Sequence, residues 1–323
     1  MALNEFSIIE RYFTSSSHRK DVLLGVGDDA ALLQVPQGMQ LAVSVDTLVA
    51  GRHFPEDTAA EAVGHKTLAV NLSDMAAMGA EPAWATLAIT LPDADPAFVD
   101  AFAEGFFNLA RRFDVELVGG DTVRGPLSLT VQVQGLVPAG EALLRSGARP
   151  GDYLYVSGSL GDAGAGLRLR PEKNHADAES AKQLIRRLEY PTPRVAEGVS
   201  LRGIASAVID VSDGLLADLG HILARSGCGA EVELDAIPRS KALSRCIAGQ
   251  EEQLRLALSA GDDYELCFAV PAARLNALEG ATAKWRCGAT CIGRITEGTG
   301  IRLRGEKSDT LTGMLSGYDH FQG

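Results

Sequence analysis

The residues best able to do chemistry in this chain are aspartates, and their neighbours are as informative as their number. Asp28 and Asp29 lie in GVGDDAA, Asp46 in SVDTL, Asp74 in NLSDMAAMGA, Asp121 in GGDT, Asp210 and Asp213 in IDVSDG, and Asp262 and Asp263 in AGDDYEL. Nearly all adjoin glycine or an apolar strand-like run, or start a helix. A carboxylate at a strand end, beside glycine that lets a ligand approach the backbone, is a common way to hold a hard divalent cation. Mg2+ in particular is held by a few carboxylates together with substrate phosphates. Each aspartate alone has a structural explanation: Asp74 can cap the helix MAAMG, and Asp213-Gly214 can form a turn or cap. Six such sites in one chain point instead to a polycarboxylate metal cluster. Like charges gathered without cations repel and raise one another's pKa, so the cluster implies several ions.

Other chemistries lack their residues. There is no GxxxxGK[ST] phosphate loop, no HRD or DFG kinase set and no GxSxG nucleophile elbow. Gly25-Val26-Gly27-Asp28-Asp29-Ala30 misses the GxGxxG dinucleotide fingerprint, because alanine stands at the third glycine and an aspartate pair occupies the turn. The six histidines (His18, His53, His65, His175, His221, His320) are not spaced as metal ligands. Cys287 and Cys291 have no second Cys/His pair nearby to complete a zinc tetrahedron, and the five cysteines read as structural or casual thiols. No nucleophile–base pair offers covalent catalysis, which leaves electrostatic positioning of phosphates by metal.

The charge balance agrees. With 42 acidic against 30 basic residues, a net charge of −12, the chain repels a phosphate backbone, so duplex nucleic acid is excluded as a partner. Phosphates could be handled only with metal ions. No stretch approaches the roughly 18 apolar residues of a membrane span, and MALNEFSIIERYF lacks a basic segment followed by an apolar one, so a cytoplasmic protein without a membrane partner is expected.

The elements that must position these residues alternate. Leu41 to Val45, Trp84 to Thr90 and Leu127 to Val133 read as strands, the last half-buried by its alternation. Asp95-Pro96 supplies an N-cap and first-turn proline for a helix to about Arg112, with Phe98, Phe102, Phe106 and Leu109 as its core stripe. A turn-rich segment from Pro138 to Asp152 marks the domain junction. Tyr153 to Val156 then starts a new rhythm. It continues with a polar run over Pro171 to Ser180, a helix AKQLIRRLEY, a strand ending near Val211, a helix from about Gly214 to Ser226 and a strand from Glu265 to Val270. At 323 residues two domains are expected, 1–140 and 150–323, each large enough for its own core.

GVGDDAA, SVDTLVAGRHF, HKTLAVNLSDMAAMGAEPAWATLAITLP, GGDTVRGP, RSGARPGDYLYVSGSLGDAGAGL, IDVSDGLLADLGHI, AGDDYELCF and GYDHF, in that order from about Asn4 to Phe321, resemble the bacterial thiamine-monophosphate kinase family, in the aminoimidazole ribonucleotide synthetase superfamily. The resemblance implies a two-domain α/β (α+β) fold: an N-terminal mixed sheet that pairs in a homodimer, and a C-terminal α/β domain closing over the nucleotide. It implies ATP-dependent phosphorylation of thiamine phosphate to thiamine diphosphate with Mg2+. Carried over by residue, it makes Asp28, Asp46, Asp74, Asp121, Asp210 and Asp213 metal ligands, with oxygen from Ser44 and Thr47 at the SVDT strand end. Gly120, Asp121, Arg145 and Ser212 match nucleotide-contacting positions; His53, Asp262 and Tyr318 match positions lining the thiamine phosphate pocket. On the residues alone, Arg145 also reads as a surface arginine, His53 as a loop histidine and Tyr318 as a tail anchor. Many relatives read LVEGVHF where this chain has Leu48-Val49-Ala50-Gly51-Arg52-His53-Phe54, and GGEDYEL where it has Ala260-Gly261-Asp262-Asp263-Tyr264. The alternatives are another ATP-using member of the superfamily, or a non-catalytic nucleotide-binding dimer. A selenide-activating member is disfavoured, because it is expected to carry a reactive Cys or selenocysteine near its N-terminus and the first cysteine here is Cys228.

Overall fold

The computed structural model describes residues 4–14, 18–171 and 176–308. They divide into two compact units: one takes the described residues up to Met75 together with Ala80–Gly140, the other Ala76–Gly79 and the described residues from Glu141 on.

The first unit opens with α1 (Glu5–Ile8), capped by Asn4 and continued by a π-turn over Ile9–Phe13. A small ladder of β1 (Val22–Leu24) and β2 (Leu32–Leu33) follows. The main sheet holds β3 (Met39–Val49), β4 (Glu81–Leu91), β5 (Glu116–Arg124) and β6 (Ser128–Pro138) in the order β3-β6-β4-β5. It is mixed: β4 and β5 run parallel, and the other pairs are antiparallel. The parallel pair needs a crossover, which α3 (Pro96–Arg112) provides. Asp95 caps α3 by accepting from the Ala97 amide, and Phe102, Phe106 and Leu109 are buried with Phe98 stacked beside them, as the stripe predicts.

Two features depart from the sequence expectations. α2 (Ala60–Ala77) runs straight through the NLSDMAA motif, so Asp74 sits inside a helix and does not cap one. β3 extends to Val49, which places Ser44, Asp46 and Thr47 within a strand and not at its end.

α2 and α3 meet at glycine. A Cβ on Gly64 would lie 2.0 Å from the Phe102 carbonyl oxygen, and one on Gly105 would lie 1.9 Å from that of Glu61. Neither backbone can yield without parting the helices, so Gly105→Ala is expected to cost about 3 kcal/mol, the upper end of overpacking effects. Urea unfolding measures it, and a midpoint equal to the parent's would mean that the helices do not cross there.

An ion pair closes the small ladder onto the sheet. Arg19 donates to Asp21 at 2.9 and 2.7 Å, and the Trp84 indole donates to the same carboxylate at 3.2 Å. Arg19 first, then Trp84, hold the Asp21 carboxyl below its usual range against a partial burial penalty. A depressed folded pKa adds stability that is present above the unfolded value and lost as pH falls through the folded one. The stability gap between the parent and Asp21→Asn should therefore be largest at neutral pH and close on acidification below about pH 4. A gap independent of pH across an acid titration would contradict this.

The second unit is built on a six-stranded sheet of β7 (Tyr153–Ser157), β8 (Ala207–Asp210), β9 (Gly229–Glu233), β10 (Leu266–Val270), β11 (Ala289–Thr296) and β12 (Gly300–Arg304). Its order is β12-β9-β11-β7-β10-β8, antiparallel except for β12 on β9. The helices are α4 (Asp162–Leu169), α5 (Ala178–Glu189), α6 (Val195–Ser200), α7 (Leu215–Ser226), α8 (Lys241–Cys246), α9 (Gln250–Ser259) and α10 (Leu275–Thr282). Leu215, Leu219 and Ile222 of α7 pack with Ile209, Val156 and Cys267 of the sheet. Among the described residues no helix is long and apolar enough to cross a membrane.

Candidate active site

Strand geometry sorts the SVDT residues. Side chains alternate across a strand, so Ser44 and Asp46 share one face of β3, while Thr47 lies on the other with Leu41, Val43 and Val45. The Ser44 hydroxyl donates to the Asp74 carboxylate in a short hydrogen bond. The Asp46 amide donates to Asn71 Oδ1 at 3.2 Å, and Asn71 is itself held by its Nδ2 on the Thr67 carbonyl one turn back. Asn71 and Asp74, three apart, occupy one side of α2. β3 and α2 thus bring Ser44, Asp46 and Asp74 together. Thr47 instead pairs its hydroxyl with Thr130 on β6 at 2.9 Å.

Asp28 and Asp121 meet elsewhere in this unit. Both line a cleft of about 600 Å3 between the GVGDDAA segment and the GGDT stretch of β5, walled on one side by Phe6, Ile9 and Phe13. Its size is that of a small-molecule site, and it combines an apolar wall with an acidic floor. Both carboxylates are exposed; each accepts from the next residue's amide, Asp29 at 2.8 Å and Thr122 at 2.9 Å. Gly120 has a plain reason to be glycine, since a Cβ there would lie 1.9 Å from the Leu87 carbonyl oxygen of β4.

His53 lies just past β3. Its Nδ1 accepts from the Val49 amide at 3.0 Å, so the imidazole hydrogen sits on Nε2.

In the second unit two loops are laced by backbone bonds. The Asp262 amide donates to the Ser212 carbonyl at 2.8 Å, Tyr264 to Val211 at 2.9 Å, and Val211 to Glu265 at 2.8 Å. Asp262 and Tyr264 adopt positive φ, 60° and 50°, a costly conformation for residues with side chains and one that clusters at ligand sites. The Tyr264 hydroxyl donates to Asp262 at 2.9 Å. Asp218, in the first turn of α7, accepts the amides of Ser212 and Asp213 at 3.0 and 3.1 Å. Burial, and then the charges of Asp210 and Asp213, push its carboxyl up to about 8. Beneath the loops, fully buried Glu265 accepts from Arg194 Nε at 2.7 Å, Arg187 at 2.9 Å and Ser157 at 2.6 Å.

Arg145 is exposed on a loop whose turn is held by Ser226, the hydroxyl accepting from the amides of Gly147 and Ala148 at 3.2 Å each. Tyr318, with His320 and Phe321, lies outside the described residues. Sequence reasoning passed over Asp218, Glu265, Arg187 and Arg194. Asp218 and Glu265 stand within the quoted motifs, but no local pattern separates a buried acid from a surface one.

The side chains gathered at Asp46 and Asp74 offer oxygen, and Asp210 and Asp213 stand near the buried Asp218 carboxylate; such oxygen-rich surroundings suit a hard divalent cation. Among the described residues no three His, Cys, Asp or Glu side chains stand ready to hold an ion alone. Mg2+ uses one or two carboxylates and completes its shell with water and substrate phosphate, so the pairs present match that habit.

Residues 27–137 match the model of the AIR synthase related protein N-terminal domain and residues 149–306 that of the C-terminal domain. The chain belongs to this two-domain AIR synthase related family. Within it, the chain belongs to the thiamine-monophosphate kinases. It is 50% identical to the thiamine-monophosphate kinase of Escherichia coli (strain K12) over 99% of both chains. The crystal structure of thiamine-monophosphate kinase from Stenotrophomonas maltophilia K279a matches with a TM-score of 0.87 and 49% identity, over 95% of this chain and 98% of that one. AaThiL complexed with AMPPCP and TMP matches with a TM-score of 0.78 and 32% identity, over 92% of each. E. coli HypE, a hydrogenase maturation protein, at 22% identity and a TM-score of 0.74 over 94% of this chain and 93% of that one, shares the fold alone.

Proposed function

We propose that this chain transfers the γ-phosphoryl group of ATP to thiamine phosphate, giving thiamine diphosphate and ADP. The observation that carries the reading is the full-length likeness to thiamine-monophosphate kinases, one of them a complex with AMPPCP and TMP.

The nucleophile is a phosphate oxygen, and a phosphomonoester with a second pKa near ~6 is already mostly dianionic at neutral pH. The chain therefore needs no general base, and no residue is assigned as one. The obstacle is electrostatic, because two polyanions must approach in line while charge spreads over the transferring group. Asp28, Asp46, Asp74 and Asp121, and Asp210 and Asp213, would hold Mg2+, which would supply the positive charge that offsets this repulsion. Ser44 orients Asp74 by its hydrogen bond; Thr47, whose hydroxyl faces away from them onto Thr130, is left out of the set. Gly120 and Asp121 shape the acidic end of the cleft for the nucleotide phosphates, whose base is suited to the wall of Phe6, Ile9 and Phe13. Arg145 supplies a fixed positive charge to the phosphates, and Ser212 donates to the nucleotide. His53, Asp262 and Tyr318 bind thiamine phosphate, with Tyr318 offering an aromatic face to the cationic thiazolium ring.

The working form is a homodimer located in the cytoplasm, where ATP is made and used. β3 is an eleven-residue edge strand whose Leu41, Val43 and Val45 are 45–57% exposed on one face. A second copy is the occupant that suits such a face, since an identical apolar strip meets itself in a two-fold pair. Val43→Lys should shift the dimer to monomer in light scattering; a mass unchanged from the parent's would reject this surface.

The activity itself is tested by incubating the protein with ATP, Mg2+ and thiamine phosphate. Thiamine diphosphate with stoichiometric ADP is expected, and chelation of Mg2+ abolishes it. ATP consumption indifferent to thiamine phosphate would overturn the reading.

A further inference from the structure

Lys66 is the only lysine or arginine in the buried class among the described residues, at 2% exposure. Burying an ammonium is costly unless its hydrogens find acceptors, so a buried lysine marks a place where its bonds matter. Its Nζ donates to the His53 carbonyl at 3.2 Å, from α2 to the loop after β3.

That loop is tightly specified. The Arg52 and His53 amides donate to the Val49 carbonyl at 3.1 and 3.0 Å, and the Gly51 amide donates to Phe54 at 2.9 Å. Gly51 takes φ 76°, and Phe54 is buried at 4% exposure. The loop also reads its own imidazole. With Nδ1 accepting from the Val49 amide, the ring can donate only from Nε2. The backbone thereby sets the ring's tautomer, and Lys66 adds a bond to the carbonyl of the residue that bears the ring.

We propose that Lys66 is a positioning residue for the acceptor substrate: by holding the His53 carbonyl it fixes the 49–54 loop so that His53 presents an Nε2–H donor to the phosphate of thiamine phosphate. This rests on the reading of His53 as a thiamine phosphate contact. Lys66 touches neither substrate. Its effect falls on the acceptor more than on the nucleotide, because Gly120 and Asp121 stand on β5, which the loop does not join.

The test compares the parent with Lys66→Met, Lys66→Arg and Gly51→Ala. In Lys66→Met the KM for thiamine phosphate should rise about tenfold, the scale of one hydrogen bond to a charged group, with the KM for ATP within twofold. Lys66→Arg, which keeps a donor of the same charge, should recover most of the loss. Gly51→Ala strains the loop from its exposed side and should show the same split, so the inference stays testable where the buried variant does not fold. Nitrogen-15 spectra of His53 should show the Nε2–H tautomer in the parent and a mixture in Lys66→Met. If the parent makes no thiamine diphosphate, the functional reading fails. If the parent is active but both KM values rise together, or the tautomer is unchanged in Lys66→Met, the role assigned to Lys66 fails.

Discussion

Asp74→Asn is expected to lower kcat by about a thousandfold or more, which is ~4 kcal/mol of transition-state stabilisation, while leaving the unfolding midpoint where it was. The substitution keeps the side chain's shape and an acceptor oxygen for the Ser44 hydroxyl, so the bond between α2 and β3 survives. The negative charge goes. A carboxamide is a poor ligand for Mg2+, and the site then has fewer charges with which to hold an ion against phosphates. Ser44→Ala, which removes orientation but no charge, should be milder. Turnover is measured at saturating Mg2+ beside a thermal melt, and near-parental turnover would remove Asp74 from the metal set.

Glu265→Leu is expected to destabilise the second unit by about 3–5 kcal/mol, because it leaves two mostly covered guanidinium groups without their carboxylate. Arg194 and Arg187 both donate to this carboxylate, and Ser157 is a third donor to it, while its own oxygen accepts from the Leu266 amide at 2.9 Å. Burial opposes the charge on Arg194, but the Glu265 carboxylate outweighs it and raises the guanidinium pKa. The carboxylate also packs directly against the Gly158 backbone, where a Cβ would lie 2.2 Å from Glu265 Oε1. Glu265→Gln keeps the volume and should fall between parent and leucine variant. A urea midpoint for Glu265→Leu within error of the parent's would mean that the arginines reach solvent.

Amphipathic elements were legible in advance, and elements buried all round were not. α3 shows its stripe because one side faces solvent, and the structure places it from Pro96 to Arg112, as read. α2 shows none: nearly every residue from Ala62 to Ala77 is buried, so its sequence has no polar face against which a period could appear. In the sequence Asp74 consequently looks like a possible cap, whereas it lies within the helix. Strand ends were misplaced for a related reason, since the polar residues of SVDT lie on an incompletely covered edge strand and read as its finish.

By itself, the sequence determined the family, through its ordered motifs, and the aspartates those motifs carry. These depend on residue type and local spacing, which a chain carries whatever its fold. Only the tertiary structure decided which donors meet. Ser44 reaches Asp74 across thirty positions and Asp262 reaches Ser212 across fifty, through sheet register and loop lacing that no local period encodes. Lys66 is the same lesson in one residue: its charge is plain in the sequence, but its burial beneath the His53 loop exists only because α2 packs there.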